Sequence, residues 1–171
     1  MKMHTIITLL LFSLALSAPC SAQSRAKKTQ RPAVMKIEQL EKRFRNSSDT
    51  TYVLNFWATW CVPCVQELPW FEQADSLHKN EKVKVLLISM DDLKTLDSKL
   101  MPFIKRKKLQ SEVILLDESN ADHFIPKIDE RWGGAIPATV IINNATGYRW
   151  MYEGKLKSHE ELEQKIQAAA K

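Results

Sequence analysis

Apolar residues recur along this chain with two different periods, and the switches between them mark its elements. Ile37, Leu40 and Phe44 fall at helical spacing, which predicts a helix over residues 36–45 that ends before Asn46-Ser47-Ser48-Asp49. Residues 51–57 are then nearly continuous in apolar side chains, as a central strand covered on both faces requires. Helical spacing returns with Val65, Leu68, Phe71, Ala74 and Leu77 and runs to about His78. Pro69 lies inside this stretch, where its ring and missing N–H predict a kink.

Residues 83–90 carry a second buried-strand pattern, and a helix falls within 94–108 around Pro102. Residues 113–116 read as a short strand and 121–128 as a further helix. Gly133-Gly134 breaks the chain before Ile136-Pro137. Residues 138–142 and 148–152 flank Asn143-Asn144-Ala145-Thr146-Gly147, a hairpin signature. Ser158 and Glu161 stand in capping-box spacing and open a last helix that runs to the C-terminus. Helices alternating with strands, then a hairpin and a closing helix, define an α/β class with a mixed central sheet flanked by helices.

Residues 1–22 do not fit this domain. Lys2 supplies a positive start, Ile6 to Leu16 an apolar run, and Ser17-Ala18-Pro19-Cys20-Ser21-Ala22 a small-residue ending, the pattern of a secretory signal cleaved after Ala22. Spanning a bilayer takes about 20 apolar residues, and this run stops at Leu16. A membrane anchor, or lipid attachment at Cys20, stays open as an alternative. The formal charge of +5 is concentrated next to the signal. Residues 23–33 carry Arg25, Lys27, Lys28 and Arg31 without an acid, and read as a basic linker. Beyond it acids and bases balance, which argues against nucleic acid as a partner of the domain at 34–171. The run Lys105-Arg106-Lys107-Lys108 reads as the wet face and end of a helix.

The chemistry concentrates in Asn55-Phe-Trp-Ala-Thr-Trp-Cys61-Val62-Pro63-Cys64. A strand runs into Cys61 and a helix runs out of it, so Cys61 sits at a helix N-terminus, where free N–H groups stabilise a thiolate. Cys64 lies one turn on, at a spacing that brings two Cα atoms about 5–6 Å apart, within disulfide range. A zinc site would need four ligands, and Cys20, His4, His78, His123 and His159 offer no such spacing. As a structural staple the pair closes too short a loop to stabilise much. A dithiol that opens and closes is redox chemistry.

These residues resemble the thioredoxin superfamily, and more closely its exported TlpA-like/ResA-like branch, over roughly residues 34–171. The likeness is carried by the Asn55–Cys64 segment, Pro69 eight residues after the first cysteine, Gly134-Ala-Ile-Pro137-Ala-Thr before a strand, and the closing hairpin and helix. It implies a thioredoxin-like fold and a protein-disulfide reductase in which Cys61 attacks and Cys64 resolves, with no cofactor and no metal. It also implies a cis bond before Pro137, which would set the Ile136 backbone beside Cys61 to pair with substrate. Electrons would come from a membrane-bound thiol donor, and the substrate would be a disulfide-containing protein outside the cytoplasm, in the periplasm.

Two departures from the thioredoxin pattern shape the expectation. Asn55 replaces the buried aspartate of typical thioredoxins and reads as a hydrogen-bonded core residue. Glu67 matches a glutamate of ResA-like members that adjusts the cysteines; the alternative is an ordinary helix glutamate. Val62-Pro63 brings no imidazole to the dithiol, which argues against strong oxidising power. Trp57 is expected in the core and Trp60 on the partner-facing rim, with Trp132 open between the two. An oxidase of the same fold and a non-catalytic binding or chaperone module are the standing rivals. A peroxidase lacks its expected proline-threonine-cysteine run. The sequence leaves the substrate open among an apocytochrome c, a damaged exported protein and a peptide of a dedicated pathway.

Overall fold

The computed structural model describes residues 31–171. The expected signal at residues 1–22, with Cys20, and most of the expected linker at 23–33 therefore lie outside the described residues. One sheet of six strands organises the chain: β1 (Ala33–Met35), β2 (Thr51–Trp57), β3 (Val83–Ser89), β4 (Glu112–Leu116), β5 (Ala138–Asn143) and β6 (Tyr148–Glu153). Their spatial order is β1-β4-β3-β2-β5-β6. The first four are mutually parallel, β5 runs antiparallel to β2, and β6 runs antiparallel to β5. β2 lies at the centre, and all seven of its residues are buried.

Alternation along β2 divides the core. Val53 and Trp57 face a layer made by α2 (Val62–Leu77), α3 (Met101–Lys107) and α5 (His159–Ala169). Tyr52, Leu54 and Phe56 face α1 (Ile37–Phe44) and α4 (Ala121–Ile128). Burying each large side chain in these layers stabilises the fold by about 1.5–3 kcal/mol. The mixed α/β sheet anticipated from periodicity is the one observed.

Two local differences have physical reasons. β1 takes in Ala33, which the sequence reading gave to the linker. Three residues flanked by Pro32 and Lys36 carry no period of their own, and only pairing with Ile114–Leu116 of β4 makes them a strand. Just before it, Arg31 forms an ion pair with Asp97. The helix sought within 94–108 is built in three pieces: a 3-10 turn Leu93–Thr95, a π turn Leu96–Leu100, and α3 with Pro102 in its first turn. A proline there loses no hydrogen bond, because a first-turn N–H has no intrahelical partner. Helix α2 continues through Pro69. Lys105, Arg106 and Lys107 occupy the exposed last turn of α3, as the charge pattern suggested.

Candidate active site

The central strand delivers the reactive pair. β2 ends at Trp57, and Ala58 to Trp60 turn the chain into α2. Cys61 is the N-cap residue of that helix in extended conformation, and its sulfur accepts the Cys64 N–H at 3.4 Å. Pro63 occupies the first turn, which contains no acidic residue. The positive helix end therefore faces sulfur rather than a competing carboxylate. Cys61 and Cys64 form a disulfide with Cα atoms 5.3 Å apart.

The two sulfurs have different surroundings. Cys64 is fully buried, and Cys61 retains 6 % exposure at the edge of the same cluster. Val62 and Pro63 project outward, and Trp60 is 66 % exposed directly before Cys61. Trp57 by contrast is buried against Phe103, ring centroids 5.4 Å apart. Trp132, which the sequence left open, is a core residue. It packs on Phe56 and Phe124 and donates its indole N–H to Ala135 O at 2.9 Å.

The opposite wall comes from the loop before β5. The Ile136–Pro137 bond is cis, and Ile136 O lies 3.8 Å from Cys61 Sγ. Pro137 is buried and Ile136 half-buried. Gly134 enters this loop at φ +94, and a Cβ there would stand 3.0 Å from Ile125 Cδ1. The positive φ requires glycine, while the Ile125 side-chain tip could shift to admit a Cβ. The loop after β6 closes over the same region: Gly154 N–H donates to Pro137 O at 2.8 Å.

Glu67, the next helical turn after Cys64, points into the interior with no measurable exposure. Its carboxylate accepts from Asn55 Nδ2 at 2.8 Å and from the Leu156 N–H at 3.1 Å. Burial pushes this carboxyl up to about 7, against the opposing pull of those two hydrogen bonds and of Lys155. Asn55 is the hydrogen-bonded core residue expected, lying 3.4 Å from Thr139 Oγ1 on the neighbouring strand.

Asp91 is a structural feature of the site that pattern reading did not reach. Nearly buried at the end of β3, it accepts from Thr59 N–H at 3.0 Å, Thr59 Oγ1 at 2.6 Å and Ser89 Oγ at 2.8 Å. It thereby holds the turn that carries Trp60 and Cys61. The one signal in the sequence was an acid closing an apolar strand.

A thioredoxin-type sheet, a cysteine pair capping the helix after its central strand, and a cis-proline loop opposite define a thiol-disulfide oxidoreductase. The chain belongs to the AhpC/TSA family, whose model matches residues 22–148. Sporulation thiol-disulfide oxidoreductase A of Bacillus subtilis is 30% identical over 115 residues, covering 64% of this chain and 69% of that protein. The thiol-disulfide oxidoreductase ResA of Oceanobacillus iheyensis is 41% identical over 39 residues, 23% of this chain and 20% of its own length. Among solved structures, a thioredoxin-related protein from Neisseria meningitidis serogroup B superposes with TM-score 0.61 at 24% identity, covering 71% of this chain and 86% of that one. This last likeness speaks for the fold alone.

Proposed function

We propose that this protein works outside the cytoplasm, in the periplasm, as a reductase of protein disulfides. The observation that carries the direction is the buried Glu67 carboxyl one turn beyond Cys64. The ionised carboxylate opposes a second negative charge on the dithiol and raises the thiol pKa values, which favours the disulfide over the dithiol and so makes the reduced protein a stronger electron donor. Val62 and Pro63 supply no cation to reverse this.

In the reduced protein the Cys61 thiolate attacks one sulfur of the substrate disulfide. That bond breaks, its other sulfur leaves as a thiolate and takes a proton, and a mixed disulfide forms. The Cys64 thiol gives up its proton, with Glu67 as the group that moves it, and attacks Cys61 Sγ. The second substrate sulfur departs as a thiolate and is protonated. Two electrons and two protons have passed to the substrate, and the Cys61–Cys64 disulfide remains. Trp60 and the Ile136–Pro137 backbone bind the substrate strand. A membrane-bound dithiol then restores the reduced form. No cofactor enters the scheme.

The test is the reduction potential together with insulin reduction. A potential well below that of strong oxidants and catalytic insulin reduction support the reading; a strongly oxidising potential assigns disulfide formation instead. Cell fractionation and sequencing of the mature N-terminus test export and cleavage after Ala22.

A further inference from the structure

Beside the cysteine pair, between the Thr59–Trp60 turn and the segment leading into α3, lies a cleft of about 370 Å³. Thr59, Trp60, Ser98, Lys99, Phe103 and Arg106 line it. We infer that this cleft binds an acidic segment of the substrate polypeptide next to its disulfide. The inference rests on the oxidoreductase reading above and names the substrate class for it.

Charge and shape both point to that occupant. Lys99 is exposed and has no ion-pair partner among the described residues. Among the described residues Arg106 is engaged only by stacking on Phe103, its guanidinium carbon 5.3 Å from the ring centre, which leaves its donors for a carboxylate. Of the acids nearby, Asp97 is paired with Arg31, and Asp91 is buried behind the cleft wall with its oxygens turned to Thr59 and Ser89. The cleft therefore presents two exposed cations without an ion-pair partner among the described residues, together with the Ser98 hydroxyl and the exposed Trp60 ring.

Its wall is also prearranged. Asp91 fixes Thr59 through two hydrogen bonds, so little ordering has to occur on binding. Trp60 immediately precedes Cys61, and an extended chain advances about 3.3 Å per residue. Acids within roughly four residues of the attacked cysteine reach the cleft at that rise.

Three disulfide-linked peptides test this, alike except for Asp-Glu, Asn-Gln or Lys-Lys beside the cysteine. They are reduced by the full chain in its dithiol form, and kcat/KM is compared. The acidic peptide should exceed the neutral one by about 3- to 30-fold, the range expected of two exposed charge pairs, and the ratio should shrink with added salt. In Lys99→Gln/Arg106→Gln it should fall towards one; in Lys99→Glu/Arg106→Glu the lysine peptide should become the preferred one. A ratio near one in the unmodified chain, or one indifferent to both double variants, overturns the inference. If none of the peptides is reduced, the reductase reading fails instead. The cleft is then judged by anisotropy of labelled peptides with serine for cysteine: tighter binding of the acidic form, lost in Lys99→Glu/Arg106→Glu, upholds it, and equal binding refutes it.

Discussion

The amide of Asn55 and the carboxylate of Glu67 meet at 2.8 Å in the dry layer between β2 and α2, with both residues fully buried. Aspartate at 55 would place two carboxyls in that contact, where they could ionise together only at high cost. Asparagine donates without a charge and leaves Glu67 as the single ionisable group there.

Glu67 therefore makes stability fall as pH rises. Its folded-state carboxyl, at about 7 against 4.5 in the unfolded chain, binds its proton more tightly when folded. The contribution is fully present below pH 4.5 and is lost as pH climbs through 7. The full swing is of order ~3 kcal/mol. Urea denaturation of the oxidised chain between pH 4 and 8 should show the decline, and Glu67→Gln should flatten it.

The same substitution should alter the dithiol. Without the carboxylate charge the thiols titrate at lower pH and the reduced form gains, making the protein less reducing by a few tens of millivolts; about 30 mV corresponds to ~1.4 kcal/mol. Glutathione equilibration of Glu67→Gln against the parent measures this. An unmoved potential would reduce Glu67 to a packing residue.

The proposed order of the cysteines, Cys61 attacking and Cys64 resolving, makes a prediction for each. Cys61→Ser should abolish disulfide reduction. Cys64→Ser should accumulate mixed disulfides visible on non-reducing gels. In the reduced parent, iodoacetamide should modify Cys61 at least about tenfold faster than Cys64, as a capping thiol exceeds one buried in the helix. Equal rates would contradict the assignment.

Asp91→Asn keeps size and removes charge at a buried acceptor of three hydrogen bonds. One amide group cannot accept all three, so a loss of about 1–3 kcal/mol is expected. Because the freed turn carries Trp60 and Cys61, alkylation kinetics at Cys61 should change along with stability. Asp91→Ala should cost more.

His78 bridges the end of α2 and α5, with Nδ1 2.7 Å from Glu81 and Nε2 2.8 Å from Glu163. Burial works against its charge, but the two carboxylates outweigh burial and raise its pKa above the ordinary 6.5. A raised histidine stabilises fully below 6.5, and the contribution vanishes as pH rises through the folded value. His78→Gln should lower melting temperature more at pH 6 than at pH 9.

The legible parts of this protein were those written in consecutive residues. The apolar run 51–57 followed by Cys61-Val-Pro-Cys64 placed the pair on a strand-to-helix turn, and Asn143–Gly147 placed the hairpin. Contacts between distant segments were not legible. Nothing around Leu156 announces that its N–H meets Glu67, 89 residues earlier, and nothing in Asp91 announces Thr59. β1 is a strand only because β4 pairs with it. The cis bond at Pro137 came from resemblance, since a lone X–Pro is cis in only about 5–6% of cases.

The complete burial of Cys64 has a consequence for traffic through the protein. Only one sulfur meets visitors, so the partner that delivers electrons and the partner that receives them use the same berth, one after the other. Turnover should then follow ping-pong kinetics, with each partner inhibiting at high concentration by occupying the wrong redox form. It also means the two partners, however different elsewhere, share whatever surface chemistry that berth accepts.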